Sequence, residues 1–259
     1  MFVFTIYYFV CIAMITFAPM VQEVLFKDLG NMRYKDAWDY QESILQQTVA
    51  IKSAIREARD NNEDTSALPQ TGHHLLLVEH PHVYTLGKSG NIENVLLSEE
   101  HLSKRGIDFF RINRGGDITY HGPGQIVGYP IFDLEKFYTD IGKYMRNIEE
   151  VIILTLAEYG LKAERSPGET GVWLEPHRRG YERKICAIGV RTSRWVTMHG
   201  FALNVNTNLD YFNFIIPCGI QNKQVTSLQK ELGKEVDMDE VKGKIKRNFE
   251  KVFEIKLVQ

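Results

Sequence analysis

The sequence predicts a single α/β (α+β) domain, with mixed β-sheets and helices packed on their outer faces. Three observations lead there. Apolar residues follow strand-like runs of period two and helical stripes of period 3.6 in alternation along the chain. Nothing in the composition marks a linker, and 259 residues with 44% hydrophobic content suffice for one large core.

The elements follow in order. Residues 1–22 carry no charge and are long enough to span a bilayer as a helix. They lack the basic flank of a signal peptide and the Lys or Arg that would orient an anchor. The reading adopted is that translation starts at Met20, which leaves 1–22 as an apolar extension outside a domain of residues 23–259, with no stable membrane association. From Val24 a short strand leads to a helix over 34–59, where Trp38, Ile44, Leu45, Val49 and Ile55 fall at core spacing. Residues 61–71 are a polar loop and 74–80 a buried strand that ends in Glu-His-Pro. The glycine-bordered TLGKSG of 85–90 is a loop carrying a solvated Lys88. Ser98 caps a short helix that Gly106 ends. Strands over 107–113 and 126–132 flank the stretch considered next.

Farther on, 139–159 is the longest amphipathic helix, with Ile141, Tyr144, Met145, Ile148, Ile152 and Leu156 on one packing face and Gly160 closing it. Short strands over 161–165 and 170–174 precede a charged, solvated turn over 176–183. Strands over 183–192 and 195–205 run out and back, and Gly200 in the second implies a close backbone approach or a bulge. A basic amphipathic helix over 237–253 and the strand IKLV end the chain.

Composition excludes some functions. With 31 basic against 33 acidic residues there is no broad basic face for nucleic acid. Cys11, Cys186 and Cys218 form neither a disulfide framework nor a Cys-x-x-Cys spacing, which suits a reducing compartment. His80 and His82 flank a proline and do not have the spacing of a metal site.

Residues 114–130, RGGDITYHGPGQIVGYP, are the hardest to explain as scaffold. Glycines permit positive φ and close approach of a ligand, and Pro123 stiffens the second turn. Arg114, Thr119, Tyr120, His121 and Gln125 crowd into this one connection between strands, so its glycines are expected to face a cleft. Two other places carry chemistry. Strand alternation puts Lys184 on the same face as Cys186, Ile188 and Val190. Burial disfavours an ammonium, which suits an amine that shuttles protons, whereas a strand-end lysine snorkelling to water is the plainer alternative. Cys218 sits in Pro-Cys-Gly after an apolar run, on a tight turn able to present its sulfur. Cys186, on a strand face, reads as a small core residue.

Arg-Gly-Gly, Thr-Tyr-His, Gly-Gln and Tyr129, followed by KICAIGVRTSRWVTMHGFALNV (184–205) and IIPCGI (215–220), resemble the lipoyl(octanoyl) transferases of the biotin/lipoate protein ligase superfamily. The resemblance runs from about Val24 to the C-terminus and implies a ligase-like fold. It also implies transfer of an octanoyl or lipoyl group from acyl carrier protein to a specific lysine of a lipoyl domain, in a 2-oxoacid dehydrogenase complex or the glycine cleavage H protein. By the same resemblance Cys218 is the nucleophile and Lys184 the residue that lowers its pKa. Substrate-binding positions are then Arg114, Gly115, Gly116, Asp117, Ile118, Thr119, Tyr120 and His121; Ala187, Ile188 and Gly189; and Gly200, Phe201 and Ala202. His80 and His199 are candidates for lining the pocket. No cofactor or metal is implied, and a cytoplasmic enzyme is expected.

The chemistry of these residues is acyl transfer through a thioester on Cys218, which preserves the activation of the donor and needs no ATP. Two other readings compete: an ATP-dependent lipoate or biotin ligase on the same fold, in which Cys218 would be idle, and a non-catalytic protein that binds lipoyl domains.

Overall fold

The computed structural model describes residues 21–216 and 224–259. In chain order the elements are β1 (Gln22–Asn31), α1 (Tyr34–Asp60), β2 (His74–Glu79), β3 (Val83–Leu86), α2 (Glu99–Lys104), β4 (Asp108–Arg111), β5 (Ile118–His121) and β6 (Gln125–Ile131). They continue with α3 (Ile141–Ala157), β7 (Ala163–Glu164), β8 (Val172–Leu174), β9 (Arg183–Ser193), β10 (Val196–Asn204), β11 (Gln224–Val225), α4 (Leu228–Leu232), α5 (Met238–Phe253) and β12 (Ile255–Val258).

Among the described residues, nine strands form one mixed sheet in the order β12-β1-β2-β6-β10-β9-β8-β7, with β11 also paired to β9; β4, β3 and β5 form a second, three-stranded sheet. Each face of the large sheet is covered. Leu76 and Val78 of β2 pack with Ala37, Ile44 and Leu45 of α1. Their neighbours Leu75 and Leu77 belong to the core built with Tyr144, Ile148, Val151 and Ile152 of α3 and Val241, Ile245 and Phe249 of α5. A strand buried on both faces must be apolar at every position, which accounts for the unbroken LLLV run.

Local signals set the helix ends. The Asp140 side chain accepts from the Lys143 N–H to open α3, and Gly160 past its end takes φ 76°. Asp237 accepts from the Asp239 and Glu240 N–H groups at the start of α5. Ser98 accepts from the His101 N–H at the start of α2.

Two expectations need correction. The glycine-rich stretch is not loop throughout, because Ile118–His121 form β5 against β3, so the chain crosses from the small sheet into β6 of the large one. Finally, β9 does not alternate strictly. Val172 pairs with Cys186 but Trp173 pairs with Lys184, so Ile185 is an extra residue, and Ile185 and Cys186 are both fully buried. The bulge breaks the shared face expected for Lys184 and Cys186. Among the described residues, no helix is long and apolar enough to cross a membrane.

Candidate active site

The Arg-Gly-Gly turn is held by backbone on both sides. Lys88 N–H donates to the Arg114 carbonyl (2.9 Å) and Ser89 N–H to that of Gly116 (3.2 Å), while Gly115 N–H donates to Val190 of β9 (3.0 Å). Gly116 takes φ 86°, which favours glycine. Arg114 is nearly buried; its Nη2 donates to the Thr85 carbonyl (2.7 Å) and Oγ1 (3.0 Å) and its Nη1 to the Gly115 carbonyl (3.0 Å). Asp117 also braces the turn, with Oδ1 accepting from Ile118 N–H and Oδ2 from Asn94.

This turn walls a cavity of about 520 Å³ whose other sides come from β6, β9 and β10. Such a volume lies within the ~300–1,000 Å³ of small-molecule sites. Arg114, Gly115, Gly116, Asp117, Ile118, Thr119 and His121 border it, and so do Lys184, Ala187, Ile188, Gly189, His199, Gly200, Phe201 and Ala202. Tyr120 does not. The pleat of β5 turns it to the small sheet's aromatic core, where its ring stacks on Tyr211 with centroids 5.0 Å apart and its hydroxyl meets His82 Nδ1 at 2.7 Å. His80 lies one layer behind the cavity, fully buried. Its Nδ1 faces the Met32 carbonyl at 2.7 Å and so carries the proton, leaving Nε2 to accept from the hydroxyl of Tyr129, a wall residue, at 2.7 Å. Cys218 lies outside the described residues, as do Cys11 and residues 1–20.

Burial keeps three histidines here neutral. It lowers His80 to about 4 and His121 to about 3, the latter helped by the charges of His80 and Arg114, and it lowers His199 to about 3 with help from Arg114 and Arg191. His199 adopts φ 62° within β10, and its buried Nδ1 has no partner among the described residues. The neighbouring Gly200 reflects strand packing more than ligand approach. A methyl there would run into the Gly128 carbonyl of β6 and lie 2.7 Å from Pro130 Cδ.

Lys184 is half-buried at the cavity wall. Its Nζ lies 4.6 Å from the centroid of the Trp173 ring, and a Cβ at Gly171 would lie 3.5 Å from its Cε. Gly171 (φ 121°) is held in turn, its N–H donating to Oε1 of fully buried Glu149 at 3.0 Å. Arg165 and Arg146 hold the other carboxylate oxygen at 3.0 and 2.8 Å. Beside Lys184, β11 pairs Val225 with it in parallel register, and Thr226 N–H donates to the Lys184 carbonyl at 3.0 Å. Cys186 is inside the core, where burial raises its thiol pKa well above the usual range.

The model of the lipoyl protein ligase A/B catalytic domain matches residues 33–250. The chain belongs to this family. It is 59% identical over 239 residues to the octanoyltransferase of Christiangramia forsetii, covering 92% of this chain and 99% of that protein. To the octanoyltransferase of Flavobacterium johnsoniae it is 60% identical over 240 residues, covering 92% and 100%. Octanoyltransferases are acyltransferases, and this member of the family is an enzyme of that class. The fold also matches solved structures. A putative lipoate protein ligase from Thermoplasma acidophilum with bound lipoic acid superposes with a TM-score of 0.66 at 17% identity, covering 92% of this chain and 88% of that one. A bi-partite lipoate protein ligase from the same organism gives 0.62 at 19% identity, covering 92% and 86%.

Several wall residues of the family member were not named from sequence. Tyr34, Met145, Gly168, Glu169, Thr170 and Asn204 line the cavity, as do Phe212 and Val225. Met145 falls on the packing stripe of its helix, and Tyr34 opens another helix. Neither carries a local sign of facing a hollow. Asn204 was findable, since a polar residue at the end of an apolar strand needs a partner.

Proposed function

We propose that this chain transfers an octanoyl (or lipoyl) group from an acyl carrier protein to a specific lysine of lipoyl domains, through a thioester on Cys218, with Lys184 moving the protons. One observation carries the proposal. The glycine-rich turn, the two segments of β9 and β10 named from sequence, and Lys184 surround a single hollow. Relatives that match this chain at 57–60% identity over 92% of its length are octanoyltransferases. Phe212, before Cys218 in the chain, and Val225, after it, both line that hollow.

The steps balance as acyl transfer. The Cys218 thiolate attacks the donor thioester carbonyl, and the donor sulfur leaves with a proton from the Lys184 ammonium. The acceptor amine then attacks the acyl-enzyme, a C–N bond replaces the C–S bond, and neutral Lys184 takes the amine proton. Donor activation is preserved in the thioester, so no ATP is consumed. Seven carbons beyond the carbonyl, at ~0.8 kcal/mol per buried CH₂, give an upper bound of roughly 5 kcal/mol for tail recognition. A reducing cytoplasm would keep the nucleophile as a free thiol.

The test is incubation with octanoyl-acyl carrier protein and a lipoyl domain, without ATP, followed by intact-mass measurement. The expected results are octanoylated lipoyl domain and an octanoyl adduct on Cys218 that Cys218→Ser abolishes. Transfer only when ATP is supplied would make the chain an adenylating ligase. Transfer at the wild-type rate by Cys218→Ser would end the thioester mechanism.

A further inference from the structure

A chain of side-chain amides fixes the protonation of one cavity histidine. Gln125 and Asn204 are cross-strand partners on β6 and β10. Asn204 Nδ2 lies 3.0 Å from the Thr226 carbonyl, which can only accept, so Asn204 turns its oxygen toward Gln125. Gln125 Nε2 donates to that oxygen at 2.9 Å and to the Tyr120 carbonyl at 3.2 Å, so Gln125 Oε1 is an acceptor. His121 Nδ1 lies 2.8 Å from Oε1 and must therefore carry the ring proton. That leaves Nε2 with a bare lone pair and, among the described residues, no protein partner, on a ring that lines the cavity.

We infer that Gln125 and Asn204 are positioning residues that lock His121 in its Nδ1–H tautomer, so that its Nε2 accepts an N–H from the amine that receives the acyl group. The inference rests on the proposed acyl transfer. Of the two reactants meeting at the thioester carbonyl, only the amine brings N–H groups on its reacting atom. Accepting one of them leaves the nitrogen lone pair free to attack, and the attacking proton still goes to Lys184. His121 takes no proton itself. Burial holds the ring near a pKa of about 3, so it serves as an acceptor and not as a base. Tyr34 stacks on the ring, with centroids 5.8 Å apart and planes 11° apart, and limits its rotation. The same relay reaches Lys184, since Thr226, whose carbonyl accepts from Asn204, donates its own N–H to the Lys184 carbonyl.

Two measurements on the full chain test this. Nitrogen-15 NMR of the imidazoles reads the tautomer without turnover: His121 should show a protonated Nδ1 and a bare Nε2 from pH 8 down to pH 5. Gln125→Leu, which removes the acceptor at Nδ1, should release the lock and populate the Nε2–H tautomer in that range, and a ring that stays wholly Nδ1–H in this variant overturns the positioning role. Adding n-butylamine to the unacylated protein should move the His121 Nε2 resonance. A protonated Nε2 in the wild type, or a resonance unmoved by the amine, overturns the assignment. The second measurement separates the half-reactions, with octanoyl-N-acetylcysteamine as donor and a lipoyl domain as acceptor. In His121→Phe, aminolysis should fall roughly 10- to 100-fold more than acyl-enzyme formation, the size of one lost hydrogen bond to a charged transition state. Equal loss in both steps overturns the amine contact. Failure of the wild type to form any acyl-enzyme would instead refute the proposed function, and the NMR readouts would still decide the tautomer and the amine contact.

Discussion

The Lys184 ammonium faces the ring of Trp173, its cross-strand partner on β8, with Nζ 4.6 Å from the ring centroid. Trp173 is almost fully buried, so the ring is a fixed wall, and contact with the π-face sets where the amine can sit. A cation–π contact of ~0.5–2 kcal/mol corresponds to roughly 2- to 30-fold in rate. Trp173→Phe should therefore keep transfer within about threefold of wild type, and Trp173→Leu should lose roughly 5- to 30-fold. Single-turnover assays of well-folded variants decide this, and equal rates for the two would show that the ring only fills space.

Lys184→Ala should lower transfer near neutral pH by roughly 10²- to 10⁴-fold, the usual contribution of a positioned acid or base. Part of the loss should return as pH rises and the thiol ionises unaided. A pH profile parallel to wild type would remove Lys184 from proton transfer.

Glu149 holds Arg165, Arg146 and the Gly171 N–H while itself fully buried. Glu149→Ala would leave the Gly171 N–H unmet and loosen Arg165, which keeps Glu150 at 2.7 Å and the Arg146 carbonyl at 2.8 Å, and should cost about 1–3 kcal/mol. Glu149→Gln, which retains an acceptor for Gly171, should cost less. Urea unfolding of both variants checks the order.

Gly200→Ala should destabilise by about 3 kcal/mol, the upper end of overpacking costs, because the methyl meets the β6 backbone, which cannot yield as a side chain would. Gly160→Ala has open space around it and should cost only the ~1 kcal/mol of a left-handed residue. Similar costs at the two sites would contradict this account of strand packing.

The fold should weaken in mild acid. His80, His121 and His199 are held at about 4, 3 and 3, below their ordinary ~6.5 in the unfolded chain. Between those values the unfolded state binds more protons, so stability is full above about pH 6.5 and declines as pH falls toward 4. At pH 5 the three together give an upper bound of roughly 6 kcal/mol relative to pH 7.5. Urea midpoints at the two pH values provide the check, and equal midpoints would show that the rings are not buried as neutral groups.

Much of this was legible before any coordinates. Ser98, Gly106 and Gly160 mark helix ends by capping chemistry that acts within one turn, so local reading finds them. The buried LLLV run of β2 and the glycine-rich turn were legible for the same reason. The inserted Ile185 was not, because a bulge is defined by the partner strand and leaves no pattern in its own. Tyr120 was assigned to the site with its neighbours, but it belongs to a short strand whose pleat sends it elsewhere. Met145 and Tyr34 join the cavity only because distant segments meet there.

Helix α3 serves two masters: Ile148, Val151 and Ile152 anchor it in the core, while Met145, less than a turn earlier, borders the hollow. A flexible thioether on an otherwise rigid rod is an adjustable stop. A change of that one codon would reshape the hollow from one side, leaving Lys184 and the glycine-rich turn untouched.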